Sequence, residues 1–261
     1  MSGGHKARKR FGQNFLNDEH VIARIIDAIH PQADDNMVEI GPGQAALTLL
    51  LLERINALDV IEIDRDLVAK LEPLREQYPG LSIHSADALR FDFRPLQKSA
   101  DKKLRVIGNL PYNISTPLLF HLIEQADIIQ DMHFMLQKEV VERMSAQPGG
   151  GDYGRLSIMV QYRCQVENLF IVPPTAFRPQ PKVESAIVRL APYTELPHPA
   201  NDEKRLAQLV HHAFTQRRKT LRKSLKSYIA AEKMEAIGID PMRRPETLSV
   251  AEFVALANIP A

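Results

Sequence analysis

The strongest constraint on the fold is a repeated pattern of short apolar runs that each end in a glycine or a polar residue. Gly41, Glu62, Asp87 and Asn109 follow four such runs, at intervals of 21, 25 and 22 residues. Each interval has the length of a strand, a crossover connection and the next parallel strand. In a doubly wound sheet the carboxyl ends of the strands open into one crevice, where ligands bind. The pattern therefore predicts an α/β sheet that places these four residues at one edge.

The first of these sites carries a nucleotide-binding signature. Gly41-x-Gly43-x-x-Ala46 matches the dinucleotide fingerprint, and the carboxylate of Glu62, 21 residues further on, suits two ribose hydroxyls. The motif predicts a cofactor that contains adenosine. The bulkier turn at Pro42 and the lack of a hydride-transfer set argue against NAD. Asp87 suits an adenine amine, although a carboxylate in that position also serves as a helix or turn cap.

The second signature is Asn109-Leu110-Pro111-Tyr112, directly after the apolar run 104–107. An adenine amine is a poor nucleophile because its lone pair is delocalised into the ring. The Asn109 side-chain oxygen and the Leu110 carbonyl could each accept one amine hydrogen and so localise that lone pair. Pro111 would hold the carbonyl in place, and Tyr112 could stack on the base. The alternative is a strand-to-turn junction that Asn merely caps.

Composition narrows the class of protein. The only cysteine, Cys164, excludes an internal disulfide and a cysteine-rich metal site, and we expect it to be buried. The pair His211-His212 has no acids or cysteines at ligand spacing, so we predict no metal site. The basic N-terminus lacks the apolar stretch of a signal peptide, and the longest apolar run, Ala45–Leu52, is too short to cross a membrane. We therefore expect a soluble, intracellular protein.

The net charge of +1 conceals two basic ends on an acidic body. Residues 1–16 carry +4 through Lys6, Arg8, Lys9 and Arg10, and residues 201–230 carry +6. The remaining residues carry −9. This polarity indicates a polyanionic partner that is bound from two sides. Two solvated charged faces are the alternative.

A proline-rich linker at Pro192, Pro197 and Pro199 divides the chain. We predict a catalytic domain over residues 1–195 and a small all-helical domain over 200–261. A single helix is predicted from Thr220 to Lys233, with Leu221, Leu225 and Ile229 facing the core. A parallel row of Arg218, Arg222 and Lys226 would then face solvent and bind phosphates. The full set of residues predicted to bind the phosphates of this partner is Arg217, Arg218, Lys219, Arg222, Lys223 and Lys226.

Further motifs accompany these two signatures along the chain. In order, the chain contains Gln13-Asn14-Phe15-Leu16, Glu39-Ile40-Gly41-Pro42-Gly43, Glu62-x-Asp64, Asp87-Ala88, Asn109-Leu110-Pro111-Tyr112, Phe177-Arg178-Pro179-x-Pro181-Lys182-Val183-x-Ser185 and Gln216-Arg217-Arg218-Lys219. With this set the chain resembles the ribosomal RNA adenine dimethyltransferase family, and in particular its bacterial small-subunit (16S) members. One departure is Ala45, where many relatives have a third glycine, and we expect a tighter fit there.

The resemblance implies a Rossmann-like methyltransferase sheet with S-adenosylmethionine as methyl donor. It implies as substrate N6 of two adjacent adenosines, in a loop near the 3′ end of the 16S ribosomal RNA. The enzyme would act on the small subunit or its precursor, as a cytoplasmic monomer without membrane association. Related enzymes acting on 23S RNA, DNA adenine methyltransferases and a non-catalytic RNA-binding assembly factor are the alternatives.

The resemblance also assigns roles to individual residues. Asn14 and Leu16 would line the methionine side of the cofactor, and Gly41 and Gly43 would form the turn. Glu62 would bind the ribose and Asp87 the adenine amine. Asn109 would lie between cofactor and target, while Tyr112 and Phe177 would sandwich the extruded base.

Overall fold

The computed structural model describes residues 14–260, so the predicted basic segment Lys6 to Arg10 lies outside the described range. The chain divides into two compact units. The first comprises residues up to Val141 together with Glu167–Pro192, and the second comprises Glu142–Val166 together with the residues from Tyr193 onward.

The strands confirm the predicted α/β class. Within residues 14–260 they are β1 (Phe15–Leu16), β2 (Asn36–Ile40), β3 (Leu58–Glu62), β4 (Leu81–Ser85), β5 (Leu104–Asn109), β6 (Ile129–Gln137), β7 (Cys164–Val172), β8 (Phe177–Arg178) and β9 (Ser185–Pro192). Seven of these described strands form one sheet in the order β4-β3-β2-β5-β6-β9-β7, while β1 pairs with β8. Strands β2 to β6 pair in parallel, and β9 runs antiparallel to β6.

Helices connect the strands and make up most of the second unit. In the described part of the chain they are α1 (Glu19–Ile29), α2 (Thr48–Leu52), α3 (Arg65–Leu71), α4 (Leu74–Gln77), α5 (Ser115–Ile123), α6 (Lys138–Ser145), α7 (Arg155–Arg163), α8 (Glu203–Thr215), α9 (Leu221–Ser224), α10 (Ala231–Ala236) and α11 (Val250–Ala257). None of the described helices is both long and apolar enough to cross a bilayer.

The four predicted strand ends lie together, as expected from the regular spacing. Gly41, Asp87 and the terminal residues Glu62 and Asn109 are all at the carboxyl ends of β2 to β5, which are neighbours in the sheet. Pairing continues one residue beyond β2, because the Gly41 amide donates to the Ile61 carbonyl at 2.9 Å. The polar residues therefore project from one edge of a rigid parallel sheet.

The second unit includes a segment that the linker-based boundary placed in the first domain. Tyr153, Ile158 and Tyr162, all from Glu142–Val166, belong to the same buried cluster as Leu206 and Leu209 of α8. Burial of these side chains joins the segment to the helices that follow the linker. Cys164 is fully buried, as predicted.

The predicted single helix over residues 220–233 is wrong. Helix α9 ends at Ser224, a turn follows, and α10 begins only at Ala231. The first two amides of α9 donate to the carbonyls of Arg243 and Pro241, both at 2.9 Å. Tertiary hydrogen bonds thus fix the start of α9, and the chain turns again at Leu225, whose carbonyl accepts from two later amides.

The interruption after α9 affects the apolar and the basic residues of the predicted helix differently. Leu221, Leu225 and Ile229 are buried, as the spacing predicted. Arg218 precedes α9 and Lys226 follows it, so they form no row with Arg222 along one helix. One helical turn is enough to bury two leucines that are four residues apart. The spacing of Leu221 and Leu225 therefore does not require a continuous helix.

Candidate active site

A cavity opens at the carboxyl edge of the sheet in the first unit. It contains every predicted cofactor-binding residue and the whole Asn109–Tyr112 stretch. The lining residues are Asn14, Phe15, Leu16, Glu39, Ile40, Gly41, Pro42, Gly43, Gln44, Ala46, Leu47, Ile61, Glu62, Ile63, Leu67, Ala86, Asp87, Ala88, Leu89, Asn109, Leu110, Pro111, Tyr112, Asn113 and Ile114.

The turn after β2 has an unusual backbone. Gly41 and Gly43 have φ of 69° and 58°, in the left-handed region that glycine adopts without steric cost. Ala45 also lies in this region, with φ of 66°, where its Cβ is crowded by the backbone. Ala45 therefore adopts this turn conformation at a cost in strain, and it is buried.

Glu62 is the most strongly constrained carboxylate of the cavity. Its side chain is 6% exposed, and its two oxygens accept from the amides of Asp64 at 2.9 Å and Gly43 at 3.4 Å. Burial raises its pKa, although these backbone hydrogen bonds oppose the shift. A desolvated carboxylate in a cavity needs further donors, and the two hydroxyls of a ribose are suitable donors.

A second buried carboxylate, Glu39, lies beside it. The Thr48 hydroxyl donates to Glu39 at 2.7 Å. Burial raises the pKa of Glu39 to about 7, and the charge of Glu62 acts in the same direction. In the sequence, Glu39 begins the motif Glu39-Ile40-Gly41-Pro42-Gly43, but no role was predicted for it.

Asp87 combines its predicted role and the alternative one. One of its carboxylate oxygens accepts from the Leu89 amide at 3.0 Å, so the side chain caps the turn after β4. The residue also lines the cavity. The turn holds the carboxylate in position, and this arrangement is compatible with binding an amine.

The Asn109 side chain has a defined orientation. Its Nδ2 donates to the Asn14 carbonyl at 3.0 Å. Because an amide has one donor end and one acceptor end, this bond leaves Oδ1 as the acceptor on the other side. Among the described residues no donor bonds to Oδ1. Asn109 therefore meets the requirement for accepting a hydrogen from an adenine amine.

Hydrogen bonds to residues of β6 and β9 fix Leu110 and Tyr112. The Leu110 amide donates to the Met135 carbonyl at 3.2 Å, which extends the β5–β6 pairing past the end of β5. The Tyr112 hydroxyl lies 2.7 Å from the hydroxyl of Ser185, which is fully buried. Burial raises the pKa of Tyr112, so the phenol stays neutral. The Tyr112 ring is thereby fixed at the cavity wall.

Phe177 is the one predicted catalytic residue that the structure does not bring to the cavity. Its ring is 1% exposed and belongs to the buried cluster of the first unit. The backbone is nevertheless adjacent, because Phe177 pairs with Leu16 of β1, which lines the cavity. A sandwich of Tyr112 and Phe177 around a base therefore requires the Phe177 ring to leave its buried position.

Ile63 and Leu89 are among the apolar cavity residues that were not predicted from the sequence. Ile63 is 49% exposed directly after Glu62, and Leu89 follows Asp87. Both residues follow a carboxylate at the end of a strand by one or two positions. An apolar side chain at such a position lies beyond the strand, so packing of the sheet does not account for it. An apolar residue just after a carboxylate at a strand end can therefore indicate, from the sequence, a surface that packs against a flat ring.

The predicted RNA-binding residues of the second unit differ in their environments. Arg217 donates to the carbonyls of Gly150 and Gly151 at 3.3 and 2.6 Å, so it stabilises a loop. The other five are exposed, and none of them forms an ion pair with another described residue. They are Arg218, Lys219, Arg222, Lys223 and Lys226. Over residues 14–260, no three His, Cys, Asp or Glu side chains are grouped as metal ligands.

Comparison with known proteins agrees with the geometry of the cavity. Residues 4–261 match the family model described as ribosomal RNA adenine dimethylase. Ribosomal RNA small subunit methyltransferase A of Alcanivorax borkumensis is 61% identical over 256 residues, covering 98% of this chain and 90% of that protein.

Two solved structures share the fold over nearly the whole chain. A dimethyladenosine transferase from Plasmodium falciparum aligns with a TM-score of 0.78 at 26% identity, over 92% of this chain and 95% of that one. The 23S rRNA methyltransferase ErmE aligns with a TM-score of 0.72 at 26% identity, over 94% and 98%. The chain belongs to the ribosomal RNA adenine dimethylase family.

Proposed function

We propose that this protein transfers methyl groups from S-adenosylmethionine to N6 of adenosine in the 16S RNA of the small ribosomal subunit. The observation that carries the proposal is the orientation of Asn109. Its Nδ2 is occupied by the Asn14 carbonyl, which leaves Oδ1 as an acceptor at the cavity. The small-subunit relative at 61% identity favours 16S over 23S RNA as the substrate.

The cavity suits the methyl donor. Glu62 would bind the ribose hydroxyls, because it is buried, desolvated and supported by backbone amides. Asp87 would accept from the adenine amine, and Ile63 offers an exposed apolar surface next to it. Asn14 and Leu16 would line the methionine side. When bound, S-adenosylmethionine supplies an electrophilic methyl carbon on a sulfonium.

The protein activates the target amine by accepting its hydrogens. Asn109 Oδ1 and the Leu110 carbonyl would each accept one, which draws the nitrogen toward a tetrahedral shape and localises its lone pair. Pro111 restrains the backbone at that carbonyl, and the Leu110 amide is bonded to the sheet. The acceptors are thus in place before the substrate arrives, and proximity and alignment supply much of the rate.

Binding of the target base rests on Tyr112. Its ring lines the cavity and its hydroxyl is held by Ser185, so a base extruded from the RNA can stack on a ring that is already positioned. Phe177 would complete a sandwich once its ring leaves the buried cluster. The five exposed cations of the second unit would contact phosphates, and Arg217 would hold the adjoining loop.

The finer features of the reaction follow from this assignment. Two adjacent adenosines near the 3′ end of 16S RNA would each receive two methyl groups. The enzyme would act as a monomer in the cytoplasm, on the small subunit or its precursor. Its role would lie in small-subunit biogenesis.

Replacement of Asn109 tests the proposal. Asn109→Ala removes one preorganised acceptor, so turnover should fall by roughly a hundredfold or more. Melting temperature and RNA affinity should remain as in the unmodified protein. The assay is mass spectrometry of dimethyladenosine in small subunits isolated from cells that lack this chain, after incubation with each variant.

A matched control separates the site from general effects. Asn56→Ala removes an amide from a loop before β3, outside the cavity, and activity should be retained. Substantial dimethylation by folded Asn109→Ala would contradict the role of Asn109. Large subunits from the same cells are assayed in parallel, and dimethylation of their 23S RNA with none in 16S RNA would contradict the assignment of the substrate.

A further inference from the structure

Three aromatic rings from two separate segments meet in the second unit. His211 and His212 lie on α8, and Tyr228 lies in the turn between α9 and α10. The rings of His212 and Tyr228 have centroids 4.4 Å apart and planes that differ by 35°. The ring of His211 meets that of His212 edge-on, at 5.4 Å and 74°. We call these three residues the ring array.

Core packing does not account for the ring array. On the same segments, Leu209, Val210 and Leu225 are buried in the hydrophobic cluster of the second unit. Tyr228, by contrast, is 37% exposed, and none of the three residues is among the buried members of that cluster. The three rings therefore contact each other outside the buried members of the cluster, at a place where Tyr228 is open to solvent.

A cation extends the array at one end. The Arg155 Nη1 lies 3.4 Å from Nδ1 of His211. Because a guanidinium can only donate, Nδ1 of His211 is the acceptor of this hydrogen bond. Arg155, His211, His212 and Tyr228 are thus connected by successive contacts between one cation and three flat rings.

The surroundings of the array carry unpaired positive charge. Arg222, Lys223 and Lys226 precede Tyr228 by six residues or fewer and are exposed. No acidic side chain among the described residues pairs with any of the three. Exposed rings next to unpaired cations are the combination that binds single-stranded nucleic acid, since bases stack on the rings and phosphates contact the cations.

We propose that the ring array is a stacking site for unpaired bases of the substrate RNA, separate from the cavity that holds the target adenosine. The proposal rests on the proposed function, because it takes RNA as the partner. The array binds a further single-stranded nucleotide of the same RNA in the second unit. Arg155 and the nearby cations contact the phosphates on either side.

Tyr228→Ala tests the array on single-stranded RNA. Stacking by one aromatic side chain predicts a loss of affinity of roughly 5- to 150-fold. Tyr228→Phe keeps the ring and should bind as the unmodified protein. Tyr193→Ala is the matched control, because Tyr193 has the same exposure of 37%, lies in the same unit and is outside the array.

Two readouts identify stacking as the cause. The fluorescence of 2-aminopurine in the RNA should be quenched on binding to the unmodified protein and not to Tyr228→Ala. The slope of log affinity against log salt should be unchanged in Tyr228→Ala, whereas Lys226→Gln should reduce it by about 0.7–0.9. Binding to a fully paired RNA of equal length should be unaffected by Tyr228→Ala.

Three results would overturn the proposal. They are unchanged affinity of Tyr228→Ala for single strands, an equal loss on duplex RNA, and an equal loss in Tyr228→Phe. If Tyr228→Ala bound naked RNA normally but lost affinity for assembled small subunits, the array would contact a ribosomal protein instead. Binding needs no methyl transfer, so failure of the array is distinguishable from failure of the Asn109 assignment.

Discussion

At the scale of single residues, the site depends on side chains that hydrogen bonds to neighbouring groups hold in one orientation. Asn109 is oriented by the Asn14 carbonyl, Tyr112 by the Ser185 hydroxyl, and Glu62 by two backbone amides. Each of these bonds lowers the conformational freedom that ligand binding would otherwise remove. The reactive groups are thus preorganised by neighbours that take no part in the chemistry.

Glu62 offers a direct test of this preorganisation. Glu62→Gln keeps the shape but replaces one acceptor oxygen by a donor, so a ribose hydroxyl loses its partner. We expect S-adenosylmethionine affinity to fall by about 1–3 kcal/mol, measured by calorimetry. Asp59→Asn is the control, because Asp59 is a buried carboxylate of the same strand that lies outside the cavity. Equal affinities of the two variants would remove Glu62 from the site.

At the scale of elements, the close spacing of β2 and β5 brings the glycine turn after β2 next to the Asn109–Tyr112 stretch. These strands are neighbours, and the backbone of Gly108 passes close to that of Ile40. A Cβ on Gly108 would lie 2.5 Å from the Ile40 carbonyl oxygen. Only glycine lets β5 approach closely enough to place Asn109 beside the turn that follows β2.

Gly108→Ala should therefore force the two strand ends apart. We expect a loss of about 1–3 kcal/mol in the free energy of unfolding, measured by urea denaturation, because neither backbone can move without breaking the ladder. Gly151→Ala should be neutral within about 0.5 kcal/mol, since a Cβ there meets no atom within 4 Å. A stable Gly108→Ala protein would mean that the sheet tolerates a wider spacing at this point.

At the scale of the whole molecule, two buried groups give stability opposite dependences on pH. Burial lowers the pKa of His133 from 6.5 to about 4 and raises that of Glu39 from 4.5 to about 7. At His133 the unfolded chain binds more protons, so stability is lost as the pH falls through this window. At Glu39 the folded chain binds more, so stability is lost as the pH rises.

Single substitutions should reveal the two contributions. In the overlap from pH 4.5 to 6.5 the two slopes oppose each other, each at up to about 1.4 kcal/mol per pH unit. Glu39→Gln should leave stability rising with pH over this range, and His133→Phe should leave it falling. Phenylalanine can replace His133 without breaking a hydrogen bond, because neither ring nitrogen has a hydrogen-bond partner among the described residues. Urea denaturation at several pH values measures both, and unchanged profiles would contradict the assignment.

The division into two units is also a property of the whole molecule. The acidic body and the basic segment 201–230 were evident from residue counts, and five cations of that segment proved exposed and unpaired among the described residues. The segment Glu142–Val166 joins the helical unit because its apolar side chains are buried there. One boundary between the units falls after Pro192, in the proline-rich stretch, and the packing of apolar side chains sets the others.

The sequence by itself determined the parallel sheet, its carboxyl edge and the residues at that edge, because strand spacing and local motifs are encoded by neighbouring residues. Only the tertiary structure decided the orientation of Asn109, the burial of Phe177 and the interruption after α9. It also formed the ring array, because His212 and Tyr228 meet only through folding of separate segments. Each of these features depends on contacts between residues distant in the chain, and periodicity and motif spacing carry no information about such contacts.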